Sequence, residues 1–307
     1  VNVDLSIVIV NWNVRDLLQS CVTSILQPTN RLANPQIIVV DNASSDGSVA
    51  MVQAEFPHVT VIANTENRGF TVANNQGISI AQGRYVLLLN ADTEVLGDAL
   101  SALIEYMDAN PDVGLAGPQL LYPNGQVQSS RRRFPTRATL FLESTWHQSL
   151  APHSILERYY VLDKPDDAIT DVDWVMGAAM LIRRQVIQQV GGMDEGFFMY
   201  SEELDWCRRI KGAGWRVVYY PLAQVVHHEG KSSEQAVPAR HINFQRSKIR
   251  YAAKYHGRST AGVLRCYLLA TYAEQLVLEA SKGILGHKRA LRWQRVKAYW
   301  QVLRSGL

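Results

Sequence analysis

The residues best placed to do chemistry stand where short apolar runs stop. Val86-Leu87-Leu88-Leu89 ends at Asn90-Ala91-Asp92. A run that short suits a buried parallel strand rather than a helix. In an open α/β sheet, ligands gather just beyond the carboxyl ends of the strands. A carboxylate there can meet a hard cation and a diphosphate together, because Mg2+ and Mn2+ commonly combine one or two carboxylates with substrate phosphates. The plainer alternative is that Asn90-Ala91-Asp92 only turns the chain. The punctuation recurs, however. Residues 5–10 end at Asn11, residues 36–40 at Asp41, and residues 59–63 run on to Asn67-Arg68. Four polar strand ends lining one crevice read as a nucleotide site. Asp41 could accept a hydrogen bond from the imide N–H of a pyrimidine base, or serve as a turn residue or helix cap.

Such ends must be held in order by the elements between them. Apolar spacing predicts a helix over residues 15–26, with Leu17, Leu18, Val22, Ile25 and Leu26 on one face. Further helices are predicted over 49–55, after the polar turn 41–48, and near 72–81. Strands alternating with helices at this interval give a parallel sheet covered on both faces. No G-x-G-x-x-G follows the first strand and no G-x-x-x-x-G-K-[ST] occurs, which disfavours a dinucleotide oxidoreductase and a P-loop nucleotidase.

The chain has 307 residues, 47% hydrophobic and 19% charged, an ordinary globular composition with room for one large α/β domain plus additions. Cys21, Cys207 and Cys266 are too widely spaced for a disulfide framework or a cysteine zinc site, and fit a reducing cytoplasm. The chain enters a strand almost at once, so no signal peptide is expected before it. No apolar stretch reaches the ~20 residues of a transmembrane helix. The net charge of +3 is unevenly spread. Residues 286–307 hold Lys288, Arg289, Arg292, Arg295, Lys297 and Arg304 and no acid, which leaves the remainder at −3. Nucleic-acid binding by the body is therefore not expected.

Four motifs in order carry a resemblance: Ser6-Ile7-Val8-Ile9-Val10-Asn11-Trp12, Val39-Val40-Asp41-Asn42-Ala43-Ser44-Ser45-Asp46-Gly47-Ser48, Asn67-Arg68-Gly69-Phe70 with Asn74-Asn75, and Leu87-Leu88-Leu89-Asn90-Ala91-Asp92. The first hundred residues resemble the N-terminal half of the inverting GT-A glycosyltransferases of family 2, especially their bacterial rhamnosyltransferase-like branch. The resemblance implies an α/β, GT-A fold: a Rossmann-like, nucleotide-binding mixed sheet flanked by helices, with a C-terminal helical extension. Its catalytic domain would be residues 1–258 (donor half 1–95, acceptor half 96–258) and its tail residues 259–307. The donor nucleotide would be held by Asn11, Asp41, Asn67, Arg68, Gly69, Asn90, Ala91 and Asp92. Asp41 would read the base, and Asp92, last in a DxD-like motif, would hold Mg2+ or Mn2+ on the diphosphate. Asn90 stands where many relatives carry Asp, which leaves one carboxylate fewer.

Further on, residues 118–128 read as a strand broken by the hairpin-like turn Pro123-Asn124-Gly125. The run Arg131-Arg132-Arg133 reads as a solvated charge run rather than a phosphate clamp, in an irregular stretch, 131–171, of the kind that forms lids or acceptor loops. Residues 173–182 supply an apolar strand whose Asp173-Trp174 and Gly177-Ala178 resemble the family's acceptor-side segment. Small Gly177 and Ala178 let a sugar approach the backbone, and Trp174 would stack on a sugar or join the core. Residues 197–209 resemble the family's catalytic helix, with Glu203 where Asp is usual. Inverting transfer needs a base on the face opposite the leaving nucleotide. Helical spacing groups Glu203 with Cys207 and Ile210 facing inward, and Glu202 with Trp206 and Arg209. Glu203 is thus the expected base, with Glu202 in reserve. Alternatively, Ser201 caps a helix whose first acids merely suit its dipole. His227 resembles the family's late histidine, because Glu229-Gly230-Lys231-Ser232 then falls where relatives carry Gly-Gly-x-Ser. Its neutral imidazole would join Asp92 on the metal, and Lys231 and Ser232 would meet the departing phosphates.

Residues 238–256 read as a helix covering the sheet. Beyond them, Leu291, Trp293, Val296, Tyr299, Trp300 and Leu303 alternate with the six cations. A basic, aromatic, amphipathic helix predicts peripheral contact with anionic membrane through residues 261–307; packing within the protein or in a homodimer is the alternative. The resemblance implies a metal-dependent inverting transferase. It would move a hexosyl group, rhamnose at family level, from a nucleoside-diphosphate sugar to a saccharide or polyprenyl-linked saccharide acceptor. The setting would be cell-surface polysaccharide synthesis at the cytoplasmic face of the cell membrane. Asn90 and Glu203 keep open a catalytically inactive sugar- or nucleotide-binding homologue.

Overall fold

The computed structural model describes residues 3–32, 34–230, 237–286 and 288–307. Lys231 and Ser232 lie outside the described residues. The chain forms two units: Val1–Phe134 with Tyr160–Phe198 and Glu202–Ser232, and Pro135–Tyr159 with Met199–Ser201 and Ser233–Leu307.

The first unit opens with β1 (Leu5–Asn11), α1 (Arg15–Ile25), β2 (Gln36–Asp41), α2 (Ser48–Glu55), β3 (Thr60–Ala63), α3 (Phe70–Ile80) and β4 (Tyr85–Asn90). These are the alternating strands and helices of the apolar pattern. Leu18, Cys21, Val22 and Ile25 of α1 are buried together with Ile7, Ile9, Leu87 and Leu89. Strands β3-β2-β1-β4 lie in that order and pair in parallel, and the register sets Asn11 beside Asp41 and Val10 beside Asn90. The polar strand ends therefore share one edge, as the crevice argument requires.

The chain continues through β5 (Thr93–Val95), α4 (Ala99–Ala109), β6 (Val113–Leu121), β7 (Val127–Gln128) and β8 (Arg131–Arg132). Next come α5 (Arg137–Leu142) and α6 (His153–Tyr159), which belong to the second unit. The first unit resumes with β9 (Thr170–Val172), β10 (Trp174–Val175), β11 (Ala179–Arg183), α7 (Arg184–Val190), α8 (Glu202–Gly212) and β12 (Arg216–His227). Here the sheet turns mixed: β11 pairs antiparallel with β4, and the order runs on through β6, β12 and β5. The expected hairpin exists, closed by Tyr122 N–H donating to Gln126 O at 2.8 Å, although its first arm begins at Val113. The predicted strand over 173–182 is two strands. Trp174 and Val175 pair with β8, and only residues 179–183 enter the main sheet.

The arginine run is not uniformly solvated: Arg132 and Arg133 are half-buried, and Arg131 is interior. Arg131 is 4% exposed. It donates to Pro165 O (2.7 Å), Lys164 O (2.6 Å) and Asp166 Oδ1 (2.8 Å), and lies over the Tyr219 ring. A buried guanidinium needs such partners, and they come from a loop thirty residues away.

In the second unit, α9 (Val237–His256), α10 (Arg258–Ile284) and α11 (Arg289–Ser305) join α5 and α6. Tyr272 packs edge-on to Trp146, and against Tyr299, and its hydroxyl lies 2.9 Å from His241 Nδ1. Buried Glu279 accepts two hydrogen bonds from Arg292, at 2.6 and 2.7 Å. Tyr299 of the aromatic stripe is thus interior, packed with Val302, while Trp293 and Trp300 stay exposed.

Candidate active site

The edge of β1, β2 and β4 is built around Asp41, which is 2% exposed. Asn11 Nδ2 donates to Asp41 Oδ1 at 2.8 Å, and Ser44 N–H donates to Oδ2 at 2.8 Å. Asp41 thereby ties two strand ends to the turn that follows, and each oxygen keeps acceptor capacity beyond one bond. The amide oxygens of Asn11 and Asn90 are buried without a hydrogen-bond partner among the described residues. A buried orphan acceptor is costly, and two on neighbouring strands suit the N–H and O–H donors of a nucleoside. Thr93 Oγ1 donates to Asn90 O at 2.8 Å and fixes the turn that carries Asp92. Cys21, whose thiol burial pushes up to about 12, backs the same carbonyl at 3.6 Å.

Asn67 and Arg68 are exposed, and Gly69 is buried between them and α3. Gly69 N–H donates to Asn67 Oδ1 at 3.0 Å, and Asn42 Nδ2 donates to Gly69 O at 3.1 Å. Gly69 sits at φ +86, where a Cβ would lie 2.7 Å from Phe198 O. Gly69→Ala combines a left-handed conformation with a backbone clash, so we expect a loss of about 3 kcal/mol or more in stability by chemical denaturation.

Strand β5 leaves Asp92 and pairs antiparallel with the end of β12, setting Thr93 opposite His227. His227 Nε2 lies 3.4 Å from Asp92 Oδ1, and the two side chains are 5% and 9% exposed. His227 Nδ1 lies 2.8 Å from Gln128 Oε1 on β7. Among the described residues no group of three or more His, Cys, Asp or Glu side chains is arranged to hold a metal ion. A carboxylate oxygen and an imidazole nitrogen facing each other are nevertheless donors that Mn2+ accepts, and phosphate oxygens commonly complete such a set. The residues present fit a divalent cation carried in with a diphosphate.

Asn90 N–H donates to Ala178 O at 2.9 Å, so Gly177 and Ala178 flank the same strand end. A Cβ on Gly177 would meet Glu203 Cβ at 3.6 Å. The structure thus brings Glu203, Gly177, Ala178 and Asn90 together, one residue from the Asp92 turn. Helical spacing did not separate Glu203 from Glu202, because α8 is covered all round: Trp206, Cys207 and Ile210 are all 0% exposed. Burial separates them instead. Glu202 is 4% exposed. Burial first, and the adjacent Glu203 charge second, push its carboxyl well above its ordinary 4.5. Glu202 is thereby held toward its neutral form, which suits it poorly as a base and leaves Glu203 the better candidate. A carboxyl whose folded value is raised costs stability as pH climbs from its unfolded value to its folded one. Glu202→Gln should remove that slope. In thermal melts across rising pH the variant should gain on the parent by up to about 1.4 kcal/mol per pH unit in that window.

Asp173 and Trp174 lie elsewhere. Lys211 Nζ donates to Asp173 Oδ1 at 2.5 Å, and Phe134 N–H donates to Oδ2 at 2.9 Å. Lys211 is eight residues beyond Glu203, roughly 12 Å along the helix axis. Trp174 is 9% exposed and donates from Nε1 to Arg133 O at 3.0 Å. Gln128 was not singled out by sequence: it stands among the polar residues Gln126, Ser129 and Ser130 on a hairpin arm and carries no local signal.

The family model for glycosyl transferase family 2 matches residues 6–205. The chain belongs to that family. The match runs from the first strand to the head of α8 and takes in all four motifs and both glutamates. An N-acetylglucosaminyl-diphospho-decaprenol L-rhamnosyltransferase of Mycobacterium tuberculosis is 28% identical over 254 residues, 78% of this chain and 80% of that protein. Rhamnosyltransferase WbbL of Escherichia coli is 32% identical over 164 residues, covering 49% of this chain and 58% of its own. Among solved structures, GalNAc-T7 with UDP, GalNAc and Mn2+ aligns with a TM-score of 0.60 at 17% identity, over 81% of this chain and 47% of that one. The mannosyltransferase PcManGT of Pyrobaculum calidifontis with GDP-Man and Mn2+ aligns with a TM-score of 0.56 at 17% identity, over 97% and 84%. The family 2 chain therefore has the GT-A fold with C-terminal helices, and it is a glycosyltransferase.

Proposed function

We propose that this glycosyltransferase is inverting and metal-dependent, and moves a sugar such as rhamnose from a nucleoside-diphosphate donor to a hydroxyl of a saccharide or polyprenyl-linked saccharide in cell-surface polysaccharide synthesis. One observation carries the reading. Glu203 packs beside Gly177, whose neighbour Ala178 bonds Asn90, so a base and a phosphate-binding turn flank one strand end. Asp92 and His227 would hold Mg2+ or Mn2+, which when bound neutralises charge on the leaving diphosphate. Asn11 and Asn90 accept donor N–H or O–H groups, and Asp41 is the candidate reader of the base. Glu203 takes the acceptor hydroxyl's proton as its oxygen bonds to the anomeric carbon and the bond to the diphosphate oxygen breaks. Attack from the face opposite the leaving group inverts that carbon. The rhamnosyl donor and lipid-linked acceptor are supported by the printed names of the relatives.

The tail supports peripheral contact with the cytoplasmic face of the membrane. Ile284 and Leu285 are 75% and 84% exposed. Beside them Trp293 and Trp300 stand exposed among Lys288, Arg289, Lys297 and Arg304, a composition that suits anionic headgroups. No described helix is long and apolar enough to cross a membrane.

A thermal-shift screen of UDP, dTDP, GDP, ADP and CDP, each with and without Mn2+, tests the donor site. A metal-dependent rise with one nucleotide is expected, because a ligand that binds only the folded state stabilises it. No rise with any nucleotide under either condition would sink the reading.

A further inference from the structure

Gln128 is an amide 3% exposed on a two-residue strand, and both its ends are engaged. Its Nε2 lies 3.0 Å from Glu229 Oε2, and its Oε1 lies 2.8 Å from His227 Nδ1. The chemistry of Glu229 decides which way round the amide sits. An ionised carboxylate only accepts, so the amide NH2 must face Glu229 and the amide oxygen must face the ring. That oxygen also only accepts, so Nδ1 must carry the ring proton. In the neutral ring Nε2 is then the lone-pair nitrogen, and Nε2 is the atom 3.4 Å from Asp92 Oδ1. Glu229 takes up its place at φ +46, a left-handed conformation uncommon for a residue other than glycine.

We propose that Glu229 and Gln128 are positioning residues that hold His227 in its Nδ1–H form and so present Nε2, with Asp92, to a divalent cation. The inference rests on the metal-dependent reading above. Metal-binding histidines commonly donate their second N–H to a carboxylate or carbonyl, which fixes the tautomer and ring orientation. In this chain the carboxylate acts at one remove, through an amide that it orients. The cost of burying Gln128 is offset because both its ends are bonded.

The tautomer is read directly in protein with nitrogen-15-labelled histidine, free of metal and at alkaline pH, where free imidazole is neutral. Two-bond nitrogen–proton correlations distinguish Nδ1–H from Nε2–H, and the His227 signals are those lost in His227→Gln. The parent protein should show His227 as Nδ1–H alone. Gln128→Leu should give a mixture or the opposite form. With the tightest-binding nucleoside diphosphate present, it should also weaken Mn2+ binding, measured by electron paramagnetic resonance, by about 10- to 100-fold. The paired exchange Gln128→Glu with Glu229→Gln reverses the hydrogen bond between the two residues but keeps an acceptor facing Nδ1, so it should restore both readouts. Should Gln128→Leu fail to fold, exposed Glu229→Ala carries the test, since the amide is then free to turn over. An Nε2–H ring in the parent, or variants with unchanged tautomer and unchanged Mn2+ affinity, would overturn the proposal. A parent protein that takes up no Mn2+ with any nucleoside diphosphate would instead bring down the metal-dependent reading, while the tautomer still decides whether the relay exists.

Discussion

Replacing Glu203 by Gln is expected to slow sugar transfer by roughly a hundred- to ten-thousand-fold, the usual contribution of a positioned general base. The amide keeps the shape of the carboxylate, so packing against Gly177 should persist and the melting temperature should barely move. Nucleotide binding should also persist, because the proposed donor residues Asn11, Asp41 and Asn90 stand on strand ends and not on α8. The loss should therefore fall on kcat and spare the donor KM. The companion change Glu202→Gln should leave kcat within a few-fold, since burial already favours the neutral form of that side chain. If Glu202→Gln abolished turnover and Glu203→Gln did not, the assignment of the base would be reversed. If the parent neither transferred nor hydrolysed any donor, the inactive-homologue alternative would stand.

The second large effect belongs to Asp92. Asp92→Ala removes the single carboxylate that the turn offers to a cation, because Asn90 stands at the first position of the triplet. The metal-dependent nucleotide shift should vanish, and kcat/KM should fall roughly a hundred-fold or more, since charge neutralisation by a bound cation is worth several kcal/mol. The fold should survive. The backbone contacts that tie this turn to the end of β12 include Asp92 O accepting from His228 N–H at 2.9 Å and the pairing of β5 with β12, and alanine retains both. A metal-dependent shift that remained in Asp92→Ala would place the cation elsewhere.

Much of this was legible in the sequence for a local reason. β1, β2 and β4 are continuous apolar runs because both faces of a central parallel strand are covered, and their polar ends mark where the cover stops. The spacing of Leu18, Val22 and Ile25 found α1 because one face of that helix meets the core. The same logic failed on α8. Periodicity reports a contrast between a wet and a dry face, and α8 has little of it. It failed on the arginines for a related reason: a buried guanidinium and a solvated one have the same letter, and Arg131 is distinguished by partners distant in sequence, the carbonyls of residues 164 and 165, the Asp166 carboxylate and the Tyr219 ring.

By itself the sequence determined the order of strands and helices in the donor half, the polar edge from Asn11 to Asp92, the two adjacent glutamates and the basic tail. Each of these is written within a dozen or so residues, where backbone geometry and solvent exposure act. Only the tertiary structure decided that β11 runs antiparallel beside β4, that burial raises the Glu202 carboxyl, and that Asp173 is tied to Lys211 at the far end of α8. It alone brought Gln128 to His227 and Glu229, about a hundred residues further along the chain. Strand register and burial are properties of partners, and a side chain's proton goes where its neighbours in space, not in sequence, allow it.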